Sequence, residues 1–295
     1  VKVLLTGASG ILGSSIIRIF ARSGITCDVL DRRQINWSRS ERNTSILQGY
    51  DYLLHTAANT NVEQCEVAPE MCYRDNVLLT ELLAHACYHA HVRMVFISST
   101  GIYGNHKAEP YHEYDSVQPT TQHHRSKWLA EGEILKWLPG ALVIRTGWLF
   151  GGEPEAKKNF VARRIEEGLL ANQKINSNKT QVGNPTFSND LAERILTLLK
   201  NQQVGIMNCV NEGAVSRFDY VKQIMLMADI PIDVIPCSAN SFGRQAKVSN
   251  NEAAQNLKME LLGYPAMRSW QDALREYVEN DLHQWIHKKK LSRKL

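Results

Sequence analysis

Gly7, Gly10 and Gly13 are spaced Gly-x-x-Gly-x-x-Gly directly after the apolar run Val1–Leu5. Each glycine at that spacing has its own use. Gly7 lets the chain turn sharply out of a strand, Gly10 lets a pyrophosphate approach the backbone, and Gly13 lets the next helix pack close to the sheet. The amides opening that helix turn their positive ends to the phosphates. The chemistry this suggests is the holding of a dinucleotide. Asp31-Arg32-Arg33 ends the second apolar run. An acid there accepts hydrogen bonds from the ribose of NAD, and arginines there hold the 2′-phosphate of NADP. Two arginines beside one acid tilt the expectation slightly to NADP. Ala57-Ala58 are small where a backbone would meet the cofactor, and Asn59 and Thr60 stand at the mouth of the same site or cap a helix over Val62–Val67. Ser98-Ser99-Thr100 end another apolar run, and hydroxyls at the carboxyl end of a parallel strand lie where ligands bind.

These residues need a scaffold, and apolar periodicity supplies one. Strands are expected at Thr26–Leu30, Tyr52–His55, Arg93–Ser98 and Leu142–Arg145, with helices at Glu70–His91 and Gln122–Leu138. Alternating strand and helix predicts an α/β fold, a doubly wound parallel sheet of Rossmann type over residues 1–150. After Gly151-Gly152 helices at Phe160–Leu170, Leu191–Lys200, Arg217–Ala228 and Trp270–Trp285 alternate with short irregular segments. This predicts a second, smaller α/β lobe over 151–295, with 187–212 returning to the first domain.

Composition narrows the class. At 295 residues and 43% hydrophobic, the chain can bury a substantial core. No apolar run is long enough to span a membrane, and no leader is visible ahead of the first strand, so a cytoplasmic protein without a membrane partner is expected. The net charge of +4 is misleading, because 287–295 holds five basic residues and the rest is slightly acidic. No nucleic-acid footprint follows, and the tail reads as a frayed, solvated terminus. Six scattered cysteines without Cys-x-x-Cys read as reduced thiols. His85, His89 and His91 have a zinc-like spacing, but no nearby Cys or carboxylate completes a ligand set, so no metal is expected.

The glycine loop, Ser98-Ser99-Thr100, Tyr111-x-Glu113-x-Asp115, Ser126-Lys127 and Arg145–Gly151 with Asn159-Phe160 occur in an order and spacing that resemble the extended short-chain dehydrogenase/reductases. The likeness is greatest to the dTDP-4-dehydrorhamnose reductase group. Gln181–Phe187, Asp190-Leu191-Ala192 and Trp270–Leu274 carry it through the second half. The resemblance implies NAD(P)H-dependent reduction of the 4-keto group of a nucleotide-activated deoxysugar, by a homodimer formed through the 70–91 and 122–138 helices. It implies Ser99 and Lys127 as the hydroxyl and ammonium of the catalytic set. It implies cofactor contacts from Gly7, Ser9, Gly10, Ile11, Leu12, Gly13, Asp31, Arg32, Arg33, Ala57, Ala58, Asn76 and Lys127. On the substrate side it implies Asn59, Thr100, Trp148, Asn159 and Arg244, the Trp148 indole suiting the apolar face of a deoxy sugar.

The catalytic tyrosine of that group would stand four residues before Lys127, where this chain has His123. Imidazole can donate a proton, with an ordinary pKa of about 6.5, but the ammonium of Lys127 pushes that value down. Three outcomes are open: His123 is the acid, a water or another group such as Tyr103 or Tyr111 replaces it, or reduction is lost. The alternatives to a reductase are therefore an NAD(P)-binding regulatory protein acting through a partner, as the methionine adenosyltransferase regulatory β subunit of similar sequence does, and a nucleotide-sugar epimerase. Dehydration is disfavoured, because Thr100-Gly101 stand where dehydratases place an Asp-Glu pair.

Overall fold

β1 (Val3–Thr6) is buried along its whole length, as a central parallel strand covered on both faces must be. The computed structural model describes residues 1–38, 40–156, 158–171 and 174–292. β2 (Cys27–Leu30) lies on one side of β1 and β3 (Tyr52–His55) on the other. β4 (Arg93–Ser99), β5 (Leu142–Thr146) and β10 (Gly205–Cys209) extend the sheet, giving the order β10-β5-β4-β3-β1-β2 with every neighbour parallel. The direction of winding reverses at β1, and open α/β sheets take their ligands at the strand carboxyl ends beside such a switch.

Successive strand residues point to opposite faces, and two cores result. Leu5, Leu54, Ile97 and Ile144 pack under α1 (Ile11–Arg22) and α8 (Ser188–Lys200). Leu4, Leu53, Phe96 and Val143 pack under α2 (Ser40–Leu47), α5 (Leu79–Ala90) and α6 (Gln122–Trp137). A third core is rich in aromatics. It gathers β6 (Trp148–Phe150), β9 (Pro185–Phe187), α7 (Phe160–Leu170), α9 (Arg217–Met227) and α11 (Trp270–Glu276). Phe150 stacks on Phe187 with centroids 5.3 Å apart, and Tyr220 meets Trp270 edge-on at 5.5 Å. Around it β7 (Lys174–Asn178) pairs with β12 (Asp233–Cys237), and β8 (Val182–Gly183) with β11 (Val215–Ser216).

Three expectations need correction. The 70–91 helix is composite: α4 (Pro69–Tyr73) passes through a wider π turn at Arg74–Leu78 into α5. α8 begins at Ser188, earlier than Leu191, because its polar first turn gives no apolar signal. The tail is not frayed as far as Ser292. A π turn at Tyr277–Leu282 leads into α12 (His283–Ser292), Ile286 is buried in the third core, and Lys289 and Lys290 pair with Glu166 and Asp229 at 2.6 and 3.0 Å. Residues 293–295 lie outside the described residues. Among the described residues no helix is long and apolar enough to cross a membrane.

Candidate active site

Gly7 has a φ of +74°, and a Cβ there would lie 2.7 Å from the Ala57 nitrogen. A Cβ at Gly13 would strike the Gly7 carbonyl. Only glycine therefore allows β1, the loop and α1 to approach one another and the Ala57-Ala58 segment this closely. Gly10 is the N-cap of α1, with no side-chain cap and no acid in the first turn among the described residues. The opening amides are left for an anion, and the cradle fits the pyrophosphate of a dinucleotide. Ser9 and Gly10 are exposed and Ile11 half-buried, whereas the Leu12 side chain belongs to the core, so Leu12 offers its backbone alone. Gly152 closes the other side of the loop, a Cβ there lying 3.7 Å from Ile11.

Asp31 is already paired. Its carboxylate accepts from the Arg33 amide at 2.8 Å and from the guanidinium at 2.9 and 2.8 Å, which holds its pKa down at about 2. Arg32 bonds Asp75 at 2.5 Å and lies over Trp37. Asn76 is buried and used internally: Oδ1 accepts from the Asn59 amide at 2.7 Å, while Nδ2 donates to the Asn59 carbonyl and to Ser126. It positions the Asn59 backbone. The cap of α3 (Val62–Val67) is Asn61, so Asn59 and Thr60 do not have that role.

The first turn of α6 holds two of the three residues expected to be catalytic. Thr121 caps it, and Glu66 accepts the Gln122 amide at 2.7 Å. His123 and Lys127 follow one turn apart, both buried. Lys127 lies over the Phe96 ring, 3.9 Å from its centroid, and burial pushes its ammonium down to about 7 against the pull of Glu131. His123 Nδ1 is 3.0 Å from the Asn59 carbonyl oxygen. A carbonyl only accepts, so Nδ1 carries the hydrogen. Burial, with His124 and Lys127 nearby, pushes the ring well below its ordinary pKa, so it is neutral and Nε2 holds a lone pair. Ser99 Oγ accepts from the Gly101 amide at 3.2 Å, which leaves its own hydrogen for a ligand. A Cβ on Gly101 would overlap the His124 ring, so the turn after β4 packs directly on the start of α6. Tyr103 and Tyr111 do not replace the missing phenol. Both are buried; the Tyr103 hydroxyl lies between Arg145 and Asn208, and the Tyr111 hydroxyl accepts from the Lys107 amide.

The expected substrate residues divide. Trp148 donates from Nε1 to Glu252 at 2.6 Å, and the Arg217 guanidinium lies 3.4 Å from its ring centroid. Glu252 Oε1 and His124 Nδ1 are buried without a hydrogen-bond partner among the described residues. Arg244 is exposed at the edge of α3, 3.9 Å from Glu63, which also accepts the Gln245 and Ala246 amides. Thr100 is buried beneath its turn. Asn159 is used within the protein, accepting from the Ala162 amide and donating to Tyr277 and to the Glu153 carbonyl. Sequence reasoning missed Lys158, which donates to Thr60 Oγ1 and ties the 151–159 loop to the Asn59 segment. It also missed Arg217, Glu252 and His124. Isolated loop and helix charges carry no spacing signal.

Comparison with known proteins places these features in a family. The model described as RmlD substrate binding domain matches residues 1–282. A dTDP-4-dehydrorhamnose reductase of Mycobacterium tuberculosis is 31% identical over 282 residues, covering 92% of this chain and 91% of the relative. The crystal structure of a dTDP-4-dehydrorhamnose reductase from Clostridium acetobutylicum superposes with a TM-score of 0.90 at 27% identity, covering 96% of this chain and 100% of the other. That of the Bacillus anthracis enzyme in complex with NADP gives 0.88 at 25% identity, covering 94% and 98%. The chain belongs to the RmlD substrate-binding-domain family.

Proposed function

We propose that this chain reduces the 4-keto group of a nucleotide-activated 6-deoxysugar with NADPH in preference to NADH. The observation that carries the reading is the uncapped, glycine-lined start of α1 in a chain matched to such reductases along nearly its whole length. Residues 1–150, with 187–212, hold the cofactor, and the remainder of 151–295 holds the sugar. Gly7, Gly10 and Gly13 admit the pyrophosphate. Arg33, exposed and already neutralising Asp31, takes the 2′-phosphate together with Arg32. When bound, the reduced nicotinamide supplies a hydride to the keto carbon.

The protein must stabilise charge on the carbonyl oxygen and deliver a proton to it. Ser99 donates its free hydroxyl hydrogen to that oxygen. Lys127 holds the ribose, and its ammonium, with a pKa near neutrality, is the proton reservoir. His123 has no hydrogen to give from Nε2, and it aligns the Asn59 backbone. Trp148, braced by Glu252 and Arg217, presents its indole to the sugar. Met71, Leu78, Tyr88, Trp128 and Leu129 expose apolar surface on α4 to α6, and we propose that this face pairs two copies of the chain.

The test is the purified chain with NADPH or NADH and a panel of dTDP- and GDP-linked 4-keto-6-deoxysugars. Loss of reduced-cofactor absorbance that depends on one of the sugars is expected. Tight cofactor binding without turnover on any sugar would favour a regulatory protein instead.

A further inference from the structure

We propose that Cys65, Cys72 and His123 form a binding site for one soft divalent cation, zinc foremost, beside the cofactor crevice. The two sulfurs and one imidazole nitrogen lie within 4.8 Å of one another, and all three side chains are buried. Cys65 comes from α3, Cys72 from α4 and His123 from α6. Three helices thus converge on one point. Both thiols are free. Cys87 and Cys209 are equally buried, yet no such group forms around either among the described residues.

The donor set suits the ion. Two thiolates and one neutral imidazole are what zinc takes, in tetrahedral geometry with a fourth position left for water or a ligand. Bonds of about 2.3 Å to sulfur place tetrahedral ligand atoms about 3.8 Å apart, so the observed group needs only a small contraction. Uptake balances as one Zn²⁺ entering while the two thiols release two protons to solvent. The resulting complex is neutral, the charge state a dry site tolerates best.

Surrounding groups already hold the ligands in place. Asn76 Nδ2 donates to Cys72 Sγ at 3.5 Å, and Ser126 Oγ lies 3.4 Å from the same sulfur. The Asn59 carbonyl holds one imidazole nitrogen of His123. Amide donors to sulfur and a carbonyl on the ring are the outer contacts that orient metal ligands. Sequence spacing drew attention instead to His85 and His89, whose Nε2 atoms lie 3.1 Å apart on the surface with no third ligand among the described residues.

This inference does not rest on the reductase reading, since metal uptake is read without cofactor or sugar. The full chain, fully reduced, is titrated with Zn²⁺ against a chromophoric chelator and with Co²⁺ in the spectrophotometer. One equivalent per chain is expected, with thiolate-to-cobalt charge transfer and intense tetrahedral d–d bands. Cys65→Ser and Cys72→Ser should each weaken zinc binding by at least ~100-fold, the upper end of the loss from even an outer contact, and Cys237→Ser should leave it unchanged. X-ray absorption of the zinc-loaded wild-type protein needs no variant: two sulfurs at about 2.3 Å and a nitrogen at about 2.0 Å are expected. A first shell of oxygen and nitrogen alone, or no zinc uptake by the reduced chain, would overturn the proposal.

Discussion

His123 holds its hydrogen on Nδ1 against the Asn59 carbonyl, and its pKa lies well below the ordinary imidazole value. A phenol in its place would restore a donor to the carbonyl oxygen. His123→Tyr should therefore raise the rate of sugar reduction at least tenfold, since a positioned general acid is worth about 10²–10⁴. A fall in steady-state rate would instead make His123 the working acid. Lys127→Met should lower turnover by about 10²-fold or more, because ribose contact and charge go together. Arg33→Ala should raise the KM for NADPH about tenfold and leave that for NADH nearly unchanged, as loss of one charge-assisted contact to phosphate does; equal effects on both cofactors would remove Arg33 from the 2′-phosphate. At this scale the glycines were legible, because backbone approach permits no other residue. Asn159 was not, since an Asn before a helix reads equally as a ligand contact or as the cap it turned out to be.

Elements set where these residues meet. α6 brings His123 and Lys127 to the end of β4 because its buried face packs on the sheet through Ala130 and Ile134. Periodicity made that helix visible from sequence. The π turn between α4 and α5 was not, since a single wide turn leaves the apolar pattern nearly intact. The meeting of Cys65, Cys72 and His123 was equally hidden, because it depends on how three helices settle against one another. The half-exposed Trp128 and Leu129 lie on the outer side of α6. If α4 to α6 pair two copies, Trp128→Glu with Leu129→Glu should convert a dimer to a monomer in light scattering, with secondary structure unchanged. A wild-type monomer at micromolar concentration would exclude that pairing.

Across the whole molecule, the parallel sheet fixes both crevice and stability. His55 illustrates the second. It lies between β1 and α5, Nδ1 2.7 Å from Thr6 Oγ1 and Nε2 3.0 Å from Thr80 Oγ1, and burial pushes its pKa down to about 3. The unfolded chain binds a proton there below about pH 6.5 and the folded chain does not. Stability is therefore lost as pH falls from about 6.5 toward 3, by up to about 1.4 kcal/mol per pH unit from this group. Urea unfolding at pH 7 and pH 5 should show the loss, and His55→Asn should flatten it; an unchanged slope in that variant would acquit His55. The doubly wound order was legible because strand and helix alternate so regularly before residue 150. The docking of α12 was not, since its basic surface masks the single buried Ile286.

Hydride delivery to a sugar carbonyl inside this crevice can be observed directly. The most direct measurement uses NADPH carrying deuterium at both positions of nicotinamide C4, with a dTDP-4-keto-6-deoxysugar and the purified chain, and reads the product by mass spectrometry. One deuterium at sugar C4 is expected for each NADPH oxidised. Cofactor that binds yet leaves the sugar unlabelled and unreduced would contradict it.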